Sequence, residues 1–286
     1  MHQIVYILGS TRSGTSALRN AIARTRYMGY GEGHMDKFLA GLIADVRRYR
    51  QEAPETPGNA RSRMEPPKLL RHLFRGYERY LATQVKSDFI IDKTPSALMI
   101  QLAPDLNRLH RQARFIHCSR RHVDNVASKL RKFPGQTFRQ SCMAWEKCNS
   151  SWLKVREELD GNFLEFDFHD LTRDPEGIGR RIADYLELDG AEAGAIGDYL
   201  ASQRPEATSG HDLTRFLKLS ETGWSAEDKT TFLGLCGPLG ERLNYGLESY
   251  FADPAAGTAA APAKPGQTPG SEPNSAPDRG AGQGAS

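Results

Sequence analysis

The sequence predicts a three-layer α/β domain, a central parallel sheet between two layers of helices. Three observations predict it. Short apolar runs rich in β-branched residues alternate with segments of helical periodicity, the order that gives parallel strands with right-handed crossovers. The runs are almost continuously apolar, as in strands covered on both faces. The first of them ends in a glycine-rich turn that opens a helix, ILGSTRSGTS at 7–16.

Residues 3–8, QIVYIL, read as the first strand. After the turn, Ala17, Leu18, Ala21 and Ile22 recur at helical spacing. Residues 34–88 carry two helical patterns, one through Phe38, Leu39, Leu42, Ile43 and Val46 and one through Leu69, Leu70, Leu73, Phe74 and Tyr77. Between them lies the polar stretch EAPETPGNARSR, and together they read as a helical excursion over the sheet's edge. FII at 89–91 is a strand candidate, and RFIHCS at 114–119 is a clearer one, followed by a helix through Val123, Val126, Ala127 and Leu130. Trp145, Cys148, Trp152 and Val155 form a stripe at helical spacing that reads as core. FLEFDF at 163–168 is the last strand, and Pro175 stands in the first turn of the helix marked by Ile178, Ile182, Tyr185 and Leu186. In such sheets ligands gather at the carboxyl ends of the strands, where these loops would lie.

The 286 residues suffice for one sizeable core, expected over residues 1–252. From Asp253 to Ser286 the chain is dominated by Ala, Gly, Pro, Ser and Thr without an aromatic residue, and a disordered tail is expected there. The net charge of +3 does not demand a polyanionic partner, and no nucleic-acid partner is expected. Basic residues are nevertheless dense locally: Arg111, Arg114, Arg120, Arg121, Lys129, Arg131 and Lys132 form either a solvated helix face or an anion site. The four cysteines lack metal spacing, no His, Asp or Glu cluster suggests a metal, and no run is long and apolar enough to span a bilayer. A reduced, cytoplasmic protein is the resulting expectation.

Gly9 and Gly14 have the G-x-x-x-x-G spacing of a phosphate loop, but Thr15 and Ser16 follow where a nucleotide-triphosphatase has Lys and then Ser or Thr. The backbone N–H groups of Ser13, Gly14, Thr15 and Ser16, with the helix dipole behind them, suffice to hold an anion. Ser10, Thr11, Ser13, Thr15 and Ser16 add hydroxyls, and Arg12 adds a planar cation suited to bidentate contact. The alternative is a strand-to-helix turn that binds nothing. A second anion contact lies in CSRRHVDNVAS, where Arg120 follows a strand and Ser128 stands eight residues on. The two reach one anion if the intervening turn folds back; read alone, they are a strand-end arginine and a helix-surface serine.

The loop, the R-x₇-S pair and the spacing between them resemble the sulfotransferases that use 3′-phosphoadenosine 5′-phosphosulfate (PAPS) as donor. The resemblance implies a P-loop NTPase-like architecture, PAPS as cosubstrate and no metal. It assigns Arg12, Ser13, Gly14, Thr15 and Ser16 to the 5′-phosphosulfate, and Arg120 with Ser128 to the 3′-phosphate. GYGEGHMDKF at 29–38 resembles the segment that carries a Glu base in the carbohydrate and tyrosyl-protein branches, and IIDKTPSAL at 90–98 resembles their E-K-T/S-P segment. FHDLTRDPEGIGRRIADYLEL at 168–188 resembles the family's Y-E-D-L-x-x-D-P stretch, and ERLNYGLE its terminal segment. Two departures stand out: Arg12 replaces the loop lysine of the cytosolic members, and Phe168 replaces the tyrosine of Y-E-D-L.

In sulfuryl transfer the moving group is held in line, so catalysis is positioning plus stabilisation of charge on the departing oxygen. Arg12 and Lys93 are the candidates for that stabilisation. Glu32, between Gly31 and Gly33, is the candidate base, with a nearby sulfate raising its proton affinity, and His34 is its rival. His117, inside a strand pattern, reads as a satisfied core residue. The acceptor is expected to be a hydroxyl of a small molecule or glycan, seated under the 34–88 excursion. Two other readings stay open: an ATP-dependent small-molecule kinase and a non-catalytic nucleotide- or polyanion-binding module.

Overall fold

The structure, a computed structural model, describes residues 2–52, 58–202 and 216–252. The expected tail lies outside the described residues. The elements run β1 (Gln3–Gly9), α1 (Thr15–Ile22), β2 (Met28–Gly29), α2 (Asp36–Gln51), α3 (Pro66–Val85), β3 (Phe89–Lys93), α4 (Ala97–Leu109), β4 (Ala113–Ser119), α5 (His122–Lys132), α6 (Phe138–Val155), β5 (Leu164–Asp167), α7 (Phe168–Arg173), α8 (Pro175–Leu186), α9 (Gly190–Ser202) and α10 (Ala226–Arg242). The strands form one parallel sheet in the order β2-β3-β1-β4-β5, the predicted α/β architecture. β1 is central, which accounts for its continuous apolar run: every residue from Ile4 to Gly9 is buried.

The two faces of β1 seed two cores. Ile4, Tyr6 and Leu8 point into a layer built by α2, α3, α4 and α6, with Leu39, Phe74, Met99 and Trp152 among its members. Val5 and Ile7 point the other way, onto Leu18 of α1, Ile182 of α8 and Ile196 of α9. A third core joins α5, α6 and α10 through Val126, Trp145 and Phe232. Local signals set the helix ends. Ser96 caps α4 by accepting from the Met99 N–H at 3.0 Å, Thr137 and Gln140 form a capping box on α6, and Pro175 opens α8.

The structure adds what periodicity did not reveal. β2 is only two residues long, and a Cβ on Gly29 would sit 2.2 Å from the Ile91 carbonyl oxygen, so this edge pairing needs glycine. β5 stops at Asp167, and Phe168 opens α7 rather than ending the strand. α9 and α10 carry glycines and an internal Pro238 that blur any amphipathic pattern.

The chain after α10 returns to the ends of β4 and β5. Arg121, fully buried, donates to the carbonyls of Gly246 (2.7 Å), Leu247 (2.6 Å) and Leu217 (2.8 Å) and pairs with Asp124 at 2.7 Å. The hydroxyls of Tyr245 and Tyr250 donate to Asp167. These bonds hold the turn between β4 and α5, on which Arg120 stands.

Candidate functional site

The loop between β1 and α1 is shaped by its two glycines. Gly9 has φ 148°, and a Cβ there would lie 2.4 Å from the Cys118 carbonyl oxygen. Gly14, at φ 99°, would drive a Cβ to 2.8 Å from Phe168 and 2.9 Å from Leu171. Only glycine allows the loop to lie this close to β4 and α7. Arg12 adopts φ 69° without being glycine, a strained conformation typical of functional loops. Ser13 closes the turn, its N–H and its hydroxyl donating to the Ser10 carbonyl at 3.2 and 2.6 Å. From behind, Asn125 Nδ2 holds the Thr11 carbonyl at 3.0 Å and Arg120 Nη1 holds that of Arg12 at 3.1 Å. No side chain caps α1, so the N–H groups of its first turn are left for whatever enters the loop.

Cations converge on this loop from three elements. Arg12 Nε donates to Ser128 Oγ of α5 at 3.0 Å. Arg120 lies 4.2 Å over the Phe168 ring, and its Nε is buried without a partner. Phe168 thus supplies a face for the arginine where the related segment has a tyrosine hydroxyl. Burial lowers the pKa of both guanidinium groups, and repulsion from Arg120 and then Arg131 lowers that of Arg12 further. Like charges held together in this way mark a place that favours an anion.

Lys93, at the end of β3, donates to Ser16 Oγ at 3.2 Å and pairs with Glu32 at 2.6 Å. The second Glu32 oxygen lies 2.6 Å from His34 Nε2. The segment carrying both residues is tied to β3: the Gly33 N–H donates to the Lys93 carbonyl at 3.1 Å, and the His34 N–H to Thr94 Oγ1 at 3.0 Å. Thr94 in turn donates to Asp92 at 2.9 Å. Asp92 is buried against Gly33, whose Cβ would meet it at 2.4 Å, and burial pushes its carboxyl up to about 6.

Arg12, Gly14, Thr15, Ser16, Glu32, Lys93 and Arg120 line one cleft of about 220 Å³, together with Thr11, Pro95, Phe133 and Phe168. Ser13 and Ser128 are buried beneath it, and Ser128 is reached through Arg12. A second, more open cleft of about 410 Å³ adjoins it and shares Thr11, Pro95 and Phe133.

The basic stretch is not one face. Arg111 and Arg131 are exposed, whereas Arg121 and Lys129 are fully buried. His117 is buried and stacks on Trp152 at 4.4 Å, but its Nε2 has no partner, and burial lowers its pKa to about 3. It is a core residue, though not the fully hydrogen-bonded one expected. The Trp145 stripe is core throughout, and Trp224 packs on Phe138 and Phe232. Asn125 and Phe133 were not singled out by sequence reasoning, and Lys129 only as one of the dense basic residues. The spacing of Asn125 and Lys129 in α5 was legible, with Phe133 just past its end, but nothing local says that they face the loop. Among the described residues, no group of three or more His, Cys, Asp or Glu is placed to hold a metal ion, and no helix is long and apolar enough to cross a membrane.

Comparison with known proteins bears on the family and on the fold. The profile of the Sulfotransferase family matches residues 4–192, from β1 into α9. No curated protein matches the chain. Among solved structures, the sulfotransferase domain of the Synechococcus PCC 7002 olefin synthase is 21% identical with a TM-score of 0.51, over 86% of this chain and 96% of that one. Sulfotransferase STF9 from Mycobacterium avium is 14% identical with a TM-score of 0.49, over 86% and 78%. STF1 from Mycobacterium tuberculosis H37Rv is 17% identical with a TM-score of 0.46, over 82% and 77%.

Proposed function

Because this chain belongs to the sulfotransferase family, we propose that it moves a sulfuryl group from PAPS to a hydroxyl acceptor held beside Glu32. One observation carries the reading. The glycine loop and the Arg120–Ser128 pair meet through Arg12, whose carbonyl accepts from Arg120 and whose Nε donates to Ser128. The residues assigned to the two anionic groups thus form one continuous set, which supports a single ligand spanning both.

The residues fit such a ligand. The uncapped N-terminus of α1 offers N–H donors, and Arg120 keeps a buried N–H unpartnered on its Phe168 platform. When bound, PAPS supplies the activated sulfuryl group. Arg120 and Ser128 hold the 3′-phosphate, and the loop from Arg12 to Ser16 holds the other end. Lys93 and Arg12 stabilise the negative charge that builds on the departing phosphate oxygen. Glu32 takes the acceptor's hydroxyl proton as the new O–S bond forms and the old one breaks. For this, Lys93 must turn from Glu32 toward the anion, a shift that binding itself drives. His34, against the other carboxylate oxygen, either orients Glu32 or replaces it as base.

The acceptor enters beside Glu32, and the adjoining cleft at Pro95 and Phe133, which no residue of the 34–88 excursion lines, has room for its body in place of the seat expected under that excursion. A glycan or another polyhydroxylated metabolite is our first candidate, by resemblance of the Glu32 and DKTP segments to the carbohydrate branch. Transfer of labelled sulfate from PAPS to a panel of glycans and simple alcohols tests the activity. In an active pairing, Glu32→Gln should lower turnover by roughly a hundredfold or more, with adenosine 3′,5′-bisphosphate affinity nearly unchanged. Unchanged turnover would remove Glu32 from the base role.

A further inference from the structure

Lys129 raises a question that the site described so far leaves unanswered. Its side chain is fully buried, yet among the described residues no carboxylate pairs with its ammonium. Nζ donates to Ser10 Oγ at 2.7 Å, on the inner side of the phosphate loop. The groups facing it from the other packed elements are thiols: Cys142 and Cys148 on α6, and Cys236 on α10. Burial pushes the Cys148 thiol up, and the hydrogen bond to Cys142 pushes up that of Cys236, so neither supplies a thiolate as counter-ion. An ammonium buried without an anion is costly to keep. Burial accordingly lowers its pKa to about 8. The loop above it is the one whose sequence lacks the usual lysine.

We propose that Lys129 supplies, from α5 and through Ser10, a second positive charge behind the loop beside that of Arg12, and that an anion in the loop draws a proton onto it. Lys129 is a positioning residue in this account, since it touches Ser10 and not the ligand. The inference rests on the donor reading given above. Charge and occupancy are linked: an anion that favours the ammonium raises its proton affinity, and the ammonium strengthens anion binding by the same factor. A rise of one pKa unit on binding corresponds to about tenfold tighter binding by the charged form. Near pH 8 half of the unliganded molecules would hold neutral Lys129, so binding there should take up a fraction of a proton.

The test is calorimetric titration of the full chain with adenosine 3′,5′-bisphosphate at pH 8 and 9, in buffers of different ionisation enthalpy. For that one-unit rise, wild type should take up about 0.4 of a proton on binding at either pH. Lys129→Met should take up none and bind about fivefold more weakly at pH 8. Lys129→Arg, which keeps its charge, should retain tighter binding than Lys129→Met without proton uptake. A purely structural lysine would give no buffer-dependent heat. Binding without proton uptake in wild type, at an affinity that Lys129→Met preserves, overturns the proposal while leaving the donor reading intact. No saturable binding of the bisphosphate overturns both.

Discussion

Single residues in this protein divide into those that meet the cleft and those that hold its walls, and adjacent residues can differ completely. Arg120 keeps a buried N–H unpartnered at the site, whereas Arg121 spends all its bonds on three carbonyls and Asp124. Replacing Arg121 by Ala would strand a buried carboxylate and several carbonyls. We expect a loss of about 3 kcal/mol or more in urea unfolding, and a loss below 1 kcal/mol would contradict the clamp. Phe168→Ala should weaken bisphosphate binding, because Arg120 loses the ring it lies on, besides the stability lost by emptying a buried core position. Equal affinity in that variant would show that the ring does not position Arg120. The placements of Arg12 to Ser16 were legible because the residues are consecutive and a glycine turn before a helix has few geometries. Those of Lys129 and Asn125 were not, because the direction of a helix side chain becomes functional only once another element is placed against it.

At the scale of elements, the end of β3 governs the segment that bears Glu32. Asp92 holds Thr94, Thr94 holds the His34 backbone, and Lys93 holds Glu32 itself. Asp92 has a folded pKa of about 6 against an ordinary value of 3.8. The native state therefore retains this proton to higher pH than the unfolded chain does. Stability from this group is full below pH 3.8 and is lost as pH rises to about 6, a total of order 3 kcal/mol. Asp92→Asn lacks that dependence, so its unfolding free energy relative to wild type should climb across this window and level off above it. Parallel pH profiles for the two proteins would mean that Asp92 titrates normally. The strands were readable as apolar runs because a parallel sheet covered on both faces demands them. β2 escaped notice because it is held by the close approach of Gly29 to Ile91, which leaves no periodic trace. α9 and α10 escaped because their glycines and Pro238 disguise helices that tertiary packing stabilises.

For the molecule as a whole, the order of the strands turns scattered motifs into one site. With β1 between β3 and β4, the loop after β1, Lys93 at the end of β3 and Arg120 after β4 open at the same edge of the sheet. That convergence was predictable from the alternation of strands and helices, although the contact between Arg12 and Ser128 was not. We propose that residues 1–252 carry all of it, so removing residues 253–286 should leave bisphosphate affinity unchanged; a several-fold loss would give the tail a part in the site. The central claim is that one adenylate ligand is gripped at both ends. It is tested most directly by melting wild type and Arg120→Ala against increasing adenosine 3′,5′-bisphosphate, with ATP and Mg²⁺ as the comparison. The account predicts a saturable rise with the bisphosphate that needs at least tenfold more ligand in Arg120→Ala, as expected for loss of a charged contact. A rise with ATP and Mg²⁺ alone, or the same saturation in both proteins, would contradict it.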